Sequence, residues 1–290
     1  MEKHILYRLW LAIGLGPVST RISRLLDQYI FPEAVYEAFQ EGCLQGLNRN
    51  ELQCLKNVTS DQIEYLYNSC IESGIKIYSP DDEAFPQSLL EIDNPPNLLF
   101  CYGDLGKIHI KPSISIIGAR NADDYAILAA EKLSARLSFQ GITILSGFAR
   151  GIDSVAHQAA LASGGQTIAV LGCGINYDYP RNSRSFKKRI AQNGAVISEY
   201  FPSSAPAPEN FKVRNRIVSG LSDGILVIQA GERSGTLNTA SHALAQSKDI
   251  FVLPPHDIFS NDYKGNTGLL RDGAIPVYTA KDIINSITCY

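Results

Sequence analysis

Ile114-Ser115-Ile116-Ile117-Gly118-Ala119-Arg120, followed by Ile142-Thr143-Ile144-Leu145-Ser146-Gly147, decides how the chain is read. Each piece is a short apolar run that ends in glycine and small residues. Four more such runs follow, at Thr167–Leu171, Ala195–Ile197, Ile225–Ile228 and Ile250–Leu253. Runs without polar alternation are the pattern of strands covered on both faces. Helical patterns lie between them, near Tyr125–Phe139, Asp153–Ala162, Ser183–Gln192, Thr239–Gln246 and Lys281–Ile287. This alternation predicts an α/β fold with a doubly wound, mostly parallel sheet.

Upstream, the segment from Ile75 to about Lys111 is rich in Pro, Asp and Asn. It reads as a connector with strand character at Ile75–Tyr78 and Leu98–Tyr102. Residues 1–75 read as helices. Leu6, Leu9, Trp10 and Ile13 recur at helical spacing, and Gly14-Leu15-Gly16-Pro17 breaks the pattern. Ser19 is placed to cap the next helix, whose apolar stripe is Ile22, Leu25, Leu26 and Tyr29. Further helical pieces follow at Pro32–Glu41, at Arg49–Leu55 and from Ser60 to Gly74. Two domains are expected: an all-α accessory domain over 1–75 and an extended Rossmann-like domain over 76–290.

The 290 residues are 45% hydrophobic and 19% charged, the balance of a chain that buries a core. A net charge of −3 excludes a dominantly basic coat and leaves room for a local basic patch. No apolar run approaches the ~18–20 residues of a membrane span, so no membrane partner is expected. Leu9–Val18 resembles a signal segment only in its apolarity. Its flank carries Glu2 beside Lys3 and Arg8, and it runs into a helical Ser19–Leu26, so it reads as mature protein. The six cysteines, at 43, 54, 70, 101, 173 and 289, show no Cys-x-x-Cys and no disulfide framework. A reducing, cytoplasmic location is expected.

In a doubly wound sheet, ligands bind outside the carboxyl ends of the strands. Here those ends carry Gly118-Ala119-Arg120, then Ser146-Gly147 with Ala149-Arg150-Gly151-Ile152-Asp153, then Gly172-Cys173-Gly174, Ser198-Glu199 and Ser234-Gly235-Thr236. Small residues let backbone N–H groups approach an anion at helix N-termini. Tight turning alone would also favour Gly and Ser. Four such turns with two arginines favour a phosphate-lined crevice. Gly-x-Gly-x-x-Gly and Gly-x-x-x-x-Gly-Lys-Ser/Thr are both absent, which argues against a dinucleotide cofactor and a P-loop NTPase. Histidines 4, 109, 157, 242 and 256 form no zinc pattern, so neither metal nor cofactor is expected.

Gly220-Leu221-Ser222-Asp223-Gly224 matches a nucleophile elbow by letter. It lies between a helical segment and a strand, the reverse of the required order, and reads as a turn. His157 reads as a structural hydrogen-bonding residue. Between Asn176 and Arg216, eight basic residues face three acidic ones, interleaved with Tyr177, Tyr179, Phe186, Tyr200, Phe201 and Phe211. Cations for phosphates and rings for bases suit a single strand. Within this stretch Lys187–Arg189 read as a solvated helix face, whereas Phe211 with Arg214-Asn215-Arg216 reads as a strand-contacting block.

Together these residues resemble the DNA-processing protein A family, also called Smf, of bacterial transformation. The resemblance runs from about Ile75 to the end. It rests on Phe85-Pro86-x-x-Leu89, Pro95-Pro96, Gly118-Ala119-Arg120, Ser146-Gly147-x-Ala149-Arg150-Gly151-Ile152-Asp153-x-x-Ala156-His157 and Tyr179-Pro180. Ser198-Glu199-Tyr200, Asn210-Phe211-x-x-Arg214-Asn215-Arg216-Ile217, Ser234-Gly235-Thr236-x-x-Thr239-Ala240 and Lys264-Gly265-x-x-x-Leu269 continue it. It implies a Rossmann-like domain that binds single-stranded DNA, forms a homodimer and helps to load the RecA recombinase. The family is not known as an enzyme. By motif, the phosphate pocket falls on Gly118, Arg120, Ser146, Gly147 and Arg150. The strand-contacting block falls on Phe211, Arg214 and Arg216, with Ser234 and Gly235 on the facing loop. Asp123-Asp124-Tyr125-Ala126 replaces a Thr-Pro-Tyr-Gly-like helix start, and Pro254-Pro255 stands where members show Pro-Gly. A winged-helix extension is not expected, because the sequence stops just after the last helical pattern. Ile13-Gly14-Leu15-Gly16-Pro17 resembles the hairpin of a helix-hairpin-helix or sterile-alpha-motif-like unit.

Two other readings use the same crevice. A phosphoribohydrolase of related fold would need a glutamate where this chain has Thr239. A sensor of a small nucleotide is also compatible, because a backbone nest accepts any phosphate.

Overall fold

The computed structural model describes residues 3–106 and 112–287, so His109 and Cys289 lie outside the described residues. Five helices come first: α1 (Lys3–Leu15), α2 (Thr20–Tyr29), α3 (Pro32–Gln40), α4 (Arg49–Lys56) and α5 (Ser60–Glu72). Local chemistry sets their ends. Ser19 caps α2 by accepting from the Arg21 N–H at 3.3 Å. Asn48 with Glu51 and Thr59 with Gln62 form capping boxes at α4 and α5. Their inner faces meet in a small core around Trp10, Leu25, Val35 and Leu55.

The remainder is built on a nine-stranded sheet among the described residues. Its strands are β1 (Ile75–Tyr78), β2 (Leu99–Gly103), β3 (Ser113–Ile117), β4 (Thr143–Ser146), β5 (Thr167–Leu171), β6 (Gly194–Ser198), β7 (Gly224–Val227), β8 (Asp249–Val252) and β9 (Ile275–Pro276). In space they run β1-β2-β6-β5-β4-β3-β7-β8-β9. The connector of the sequence becomes the antiparallel edge β1-β2, which joins β6, and all other pairings are parallel. Between the strands run α6 (Asp124–Phe139), α7 (Ile152–Ala162), α8 (Arg184–Asn193), α9 (Pro208–Gly220), α10 (Gly235–Ala245) and α11 (Lys264–Arg271), and α12 (Ala280–Ile287) follows β9.

Strand side chains alternate between two covered faces. Ile168 and Val170 pack with α9 and α10, while Ala169 and Leu171 pack with α1, α5 and α8. Ile114 and Ile116 meet α6 and α7. Both faces are apolar because both are roofed by helices, which is why the strands read as continuous runs. α1 serves two cores: Leu9 and Ala12 face the sheet edge beside Phe100, and Trp10 and Leu11 face the helical core.

Two local readings find their physical basis here, and a third is corrected in part. Gly220–Gly224 is the turn from α9 into β7. His157 is fully buried, with Nδ1 2.6 Å from Thr167 Oγ1. The Thr167 hydroxyl donates to the Ile144 carbonyl at 2.7 Å, so the imidazole must be the donor to Oγ1. Burial pushes the His157 pKa down to about 3. The solvated face expected for Lys187–Arg189 holds for Lys188 and Arg189, which are exposed, but not for Lys187. Its stem is buried and its ammonium donates to the Ile175 carbonyl at 3.0 Å and to the Tyr177 carbonyl, tying down the loop after β5. Charge counting along a helix cannot separate a solvated lysine from one that reaches back over a loop.

Candidate functional site

The strand order reverses at β3, which lies between β4 and β7, and the carboxyl ends of β3, β4 and β5 open there. Two recesses of about 590 Å³ and about 550 Å³ adjoin at this point. They share a wall of Arg120, Gly147, Ala149, Tyr179 and Phe211. The first recess extends over Gly118, Arg214 and Asn215 to Ser234, Gly235 and Thr236. The second extends to Asn121, Arg150, Asp178 and Arg181.

Packing explains two of the glycines. A Cβ at Gly118 would lie 2.6 Å from the Ile152 side chain, so glycine lets α7 close onto the end of β3. A Cβ at Gly147 would lie 2.6 Å from Nη2 of Arg214. The facing loop is set by Ser234, whose hydroxyl accepts from the Thr236 N–H at 3.1 Å and caps α10.

The arginines divide into two kinds. Arg120 and Arg150 are exposed on their turns, and so is Arg181 on the loop after β5. None of the three forms an ion pair among the described residues. The Arg120 guanidinium lies 5.7 Å from the centroid of the half-buried Phe211 ring, and the Tyr179 ring packs against the same ring, tilted by 40° at a centroid distance of 5.4 Å. Arg214 is only 5% exposed and lines the floor of the first recess. Its Nη1 donates to the carbonyls of Gly147 and Val170, tying together the ends of β4 and β5. Burial pushes the Arg214 pKa down, while the nearby Asp153 carboxylate opposes the shift. Burial pushes the Asp153 pKa up, against Arg214 and the Ala149 N–H that donates to it at 3.1 Å.

Two expected contact residues stand off the crevice. Arg216 lies ~200° around α9 from Arg214, at 100° per residue of helix. It makes a buried bidentate pair with Glu199 at 2.7 Å and 2.8 Å, and its Nε donates to the Asn94 carbonyl at 3.0 Å. The Arg214-Asn215-Arg216 block is therefore corrected: it presents Arg214 and Asn215 to the crevice and buries Arg216 on the opposite side. Ser146 is fully buried and its hydroxyl donates to the Ile116 carbonyl at 2.6 Å, joining β4 to β3. The remaining expected residues, Gly118, Arg120, Gly147, Arg150, Phe211, Arg214, Ser234 and Gly235, come together.

Sequence reasoning missed Asn121 and Arg181 as lining residues. Arg181 was visible only as one of many basic residues, although it directly follows the Tyr179-Pro180 motif in the loop after β5. The Asp123 carboxylate is committed elsewhere. It caps α6 through the Ala126 N–H at 2.8 Å and accepts from Gln229 and the Tyr263 hydroxyl. Among the described residues no group of His, Cys, Asp and Glu could hold a metal ion, and no helix is long and apolar enough to cross a membrane.

The profile of the family described as DNA recombination-mediator protein A matches residues 76–288. DNA processing protein DprA of Bacillus subtilis is 34% identical over 216 residues, 74% of this chain and 72% of that protein. Protein Smf of Synechocystis is 37% identical over 283 residues, 94% of this chain and 70% of that protein. Among solved structures, DNA processing protein A of Streptococcus pneumoniae superposes with a TM-score of 0.83 at 26% identity, over 99% of both chains. The Helicobacter pylori protein, whose structure concerns its single-stranded DNA binding mode, superposes with a TM-score of 0.66 at 30% identity, over 73% of this chain and 96% of that one.

Proposed function

This chain belongs to the DNA recombination-mediator protein A family and has a DNA-processing role, and we propose that its crevice binds single-stranded DNA without sequence preference. One observation carries the proposal: three exposed, unpaired arginines converge with the Phe211–Tyr179 ring pair at the switch point of a chain whose net charge is −3. Guanidinium groups meet phosphates and rings meet bases, and neither contact carries a base code. The Helicobacter pylori relative, which binds single strands, supports the assignment. The contact residues of the proposal are Gly118, Arg120, Gly147, Arg150, Phe211, Ser234 and Gly235, with Arg214 fastened beneath them.

In the same proposal the protein acts in the cytoplasm as a homodimer, protects incoming strands and promotes RecA loading, without catalysis of its own. The carboxylate that lines the first recess, Asp153, is buried beside Arg214, and Thr239 offers only a hydroxyl. A filter-binding titration with an oligothymidylate and a duplex of matched length tests the binding step. Tighter binding of the single strand is expected, and equal affinity for both contradicts it. RecA ATP hydrolysis on strands precoated with a single-strand-binding protein tests loading. A rise on adding this chain is expected, and no change contradicts it.

A further inference from the structure

The N-terminal helices carry a groove of their own. Its volume is about 670 Å³, and it lies between the end of α3 and α4. None of its lining residues borders either recess of the crevice. Phe39, Leu44 and Leu52 form an apolar wall, and Arg49 and Lys56 stand exposed at the two ends of α4. No carboxylate lines the groove, and neither cation has an ion-pair partner among the described residues. The two cations are seven residues apart, two turns of helix or ~10 Å, with Leu52 on the same face between them.

The groove is built in advance of any occupant. Asn48 and Glu51 close a capping box that fixes the start of α4, and the Glu51 carboxylate also accepts from Arg21 at 3.1 Å. The Trp10 indole N–H donates to the Leu55 carbonyl at 3.1 Å, which ties α4 to α1. Phe39 is half-buried, its ring centroid 5.2 Å from that of Trp10. Arg49 sits in the first turn of α4, where the helix dipole disfavours a cation, so its charge does not serve the helix.

We infer that this groove docks an acidic peptide segment of a partner protein. One bulky apolar side chain of the segment rests on Phe39, Leu44 and Leu52, and carboxylates on either side of it face Arg49 and Lys56. Charge complementarity selects the acid, and the apolar wall between the cations selects the anchor. A nucleic-acid strand fits less well, because Leu44 and Leu52 offer no ring to a base and Phe39 is packed against Trp10. The inference goes beyond strand binding: it gives the N-terminal helices a protein-docking role of their own.

Fluorescence anisotropy on the full chain, with a fluorescein-labelled Glu-Asp-Leu-Phe-Asp-Glu peptide, tests this. The wild type should bind the peptide, and alanine in place of the peptide's phenylalanine should weaken binding by at least about tenfold. The double variant Arg49→Glu/Lys56→Glu should also weaken it by about tenfold, because two attractions become repulsions. Arg49→Lys/Lys56→Arg should bind as the wild type does, because the charges are kept. Both double variants should keep the melting temperature and the oligothymidylate affinity of the wild type, since the exchanged side chains are exposed and lie off the crevice. A saturating oligothymidylate should leave peptide binding unchanged. The inference is overturned if the wild type binds no peptide, or if the charge-reversed variant binds it as tightly as the wild type. Displacement of the peptide by the oligothymidylate would overturn it too, because the peptide would then sit in the crevice or the strand in the groove. None of these three results touches the single-strand reading, which the oligothymidylate titration judges separately.

Discussion

Two regions of this molecule carry arginines in similar company, and they use them in opposite ways. On the turns after β3 and β4, Arg120 and Arg150 follow small residues and project into the crevice without a carboxylate partner. On α9, Arg214 and Arg216 are each 5% exposed and spend their donors on the protein itself. Arg214 ties two strand ends, and Arg216 ties Glu199 and Asn94. The turn arginines are free because a loop at a strand end has no neighbour above it. The helix arginines are fastened because α9 lies over the sheet, where a guanidinium that did not find acceptors would be a buried unpaired charge. Burial, not motif membership, separates a ligand contact from a fastener.

The strongest way to break this comparison is at the buried pair. Removing one partner, as in Arg216→Ala or Glu199→Ala, leaves a charge unpaired in the interior, which costs about 3–5 kcal/mol. Urea unfolding should show that loss for either variant. A midpoint equal to the wild type would mean that the pair is not the fastener described.

Glycines offer a second contrast. Gly147→Ala would place a methyl 2.6 Å from the Arg214 guanidinium, and such crowding costs about 1–3 kcal/mol. At Gly235 a Cβ would meet nothing within 4 Å, so Gly235→Ala should stay within about 0.5 kcal/mol of the wild type. Equal effects in the same unfolding series would contradict the crowding at Gly147.

His157 adds a titration to the buried side. Its pKa in the folded chain is about 3, below the ordinary 6.5, because burial disfavours the charged ring. Between those values the unfolded chain binds a proton that the folded chain does not, so this part of the stability is lost as pH falls from 6.5 towards 3. Its slope is at most ~1.4 kcal/mol per pH unit. His157→Gln should remove that slope from the pH dependence of unfolding, and an unchanged dependence would refute the assignment.

The parallel strands were legible because a strand covered on both faces writes its burial into every residue, as at Thr167–Leu171. The turn from α9 into β7 was legible from the order of its neighbours. α11 was not, because Gly265, Asn266 and Gly268 are poor helix formers. Its position is secured by tertiary contacts, since the buried Asn266 side chain accepts from the Ala230 N–H and donates to the carbonyls of Ile228 and Leu253. At the site, the exposure of residues such as Arg120 followed from their place after a strand. The fates of Lys187, Arg214 and Arg216 depended on partners far along the chain. The division into 1–75 and 76–290 is kept as a proposal about organisation. Because Leu9 and Ala12 of α1 pack beside Phe100, the two parts also share buried surface.

The smallest effect separates the two kinds of arginine most directly. The measurement is the salt dependence of single-strand binding in Arg120→Ala and Arg216→Lys, each titrated as folded protein beside the wild type. Arg120→Ala should flatten the log–log slope by ~0.7, the counterions of one phosphate contact, and Arg216→Lys should leave the slope unaltered. A slope that falls in Arg216→Lys and holds in Arg120→Ala would contradict the division between contact and fastener.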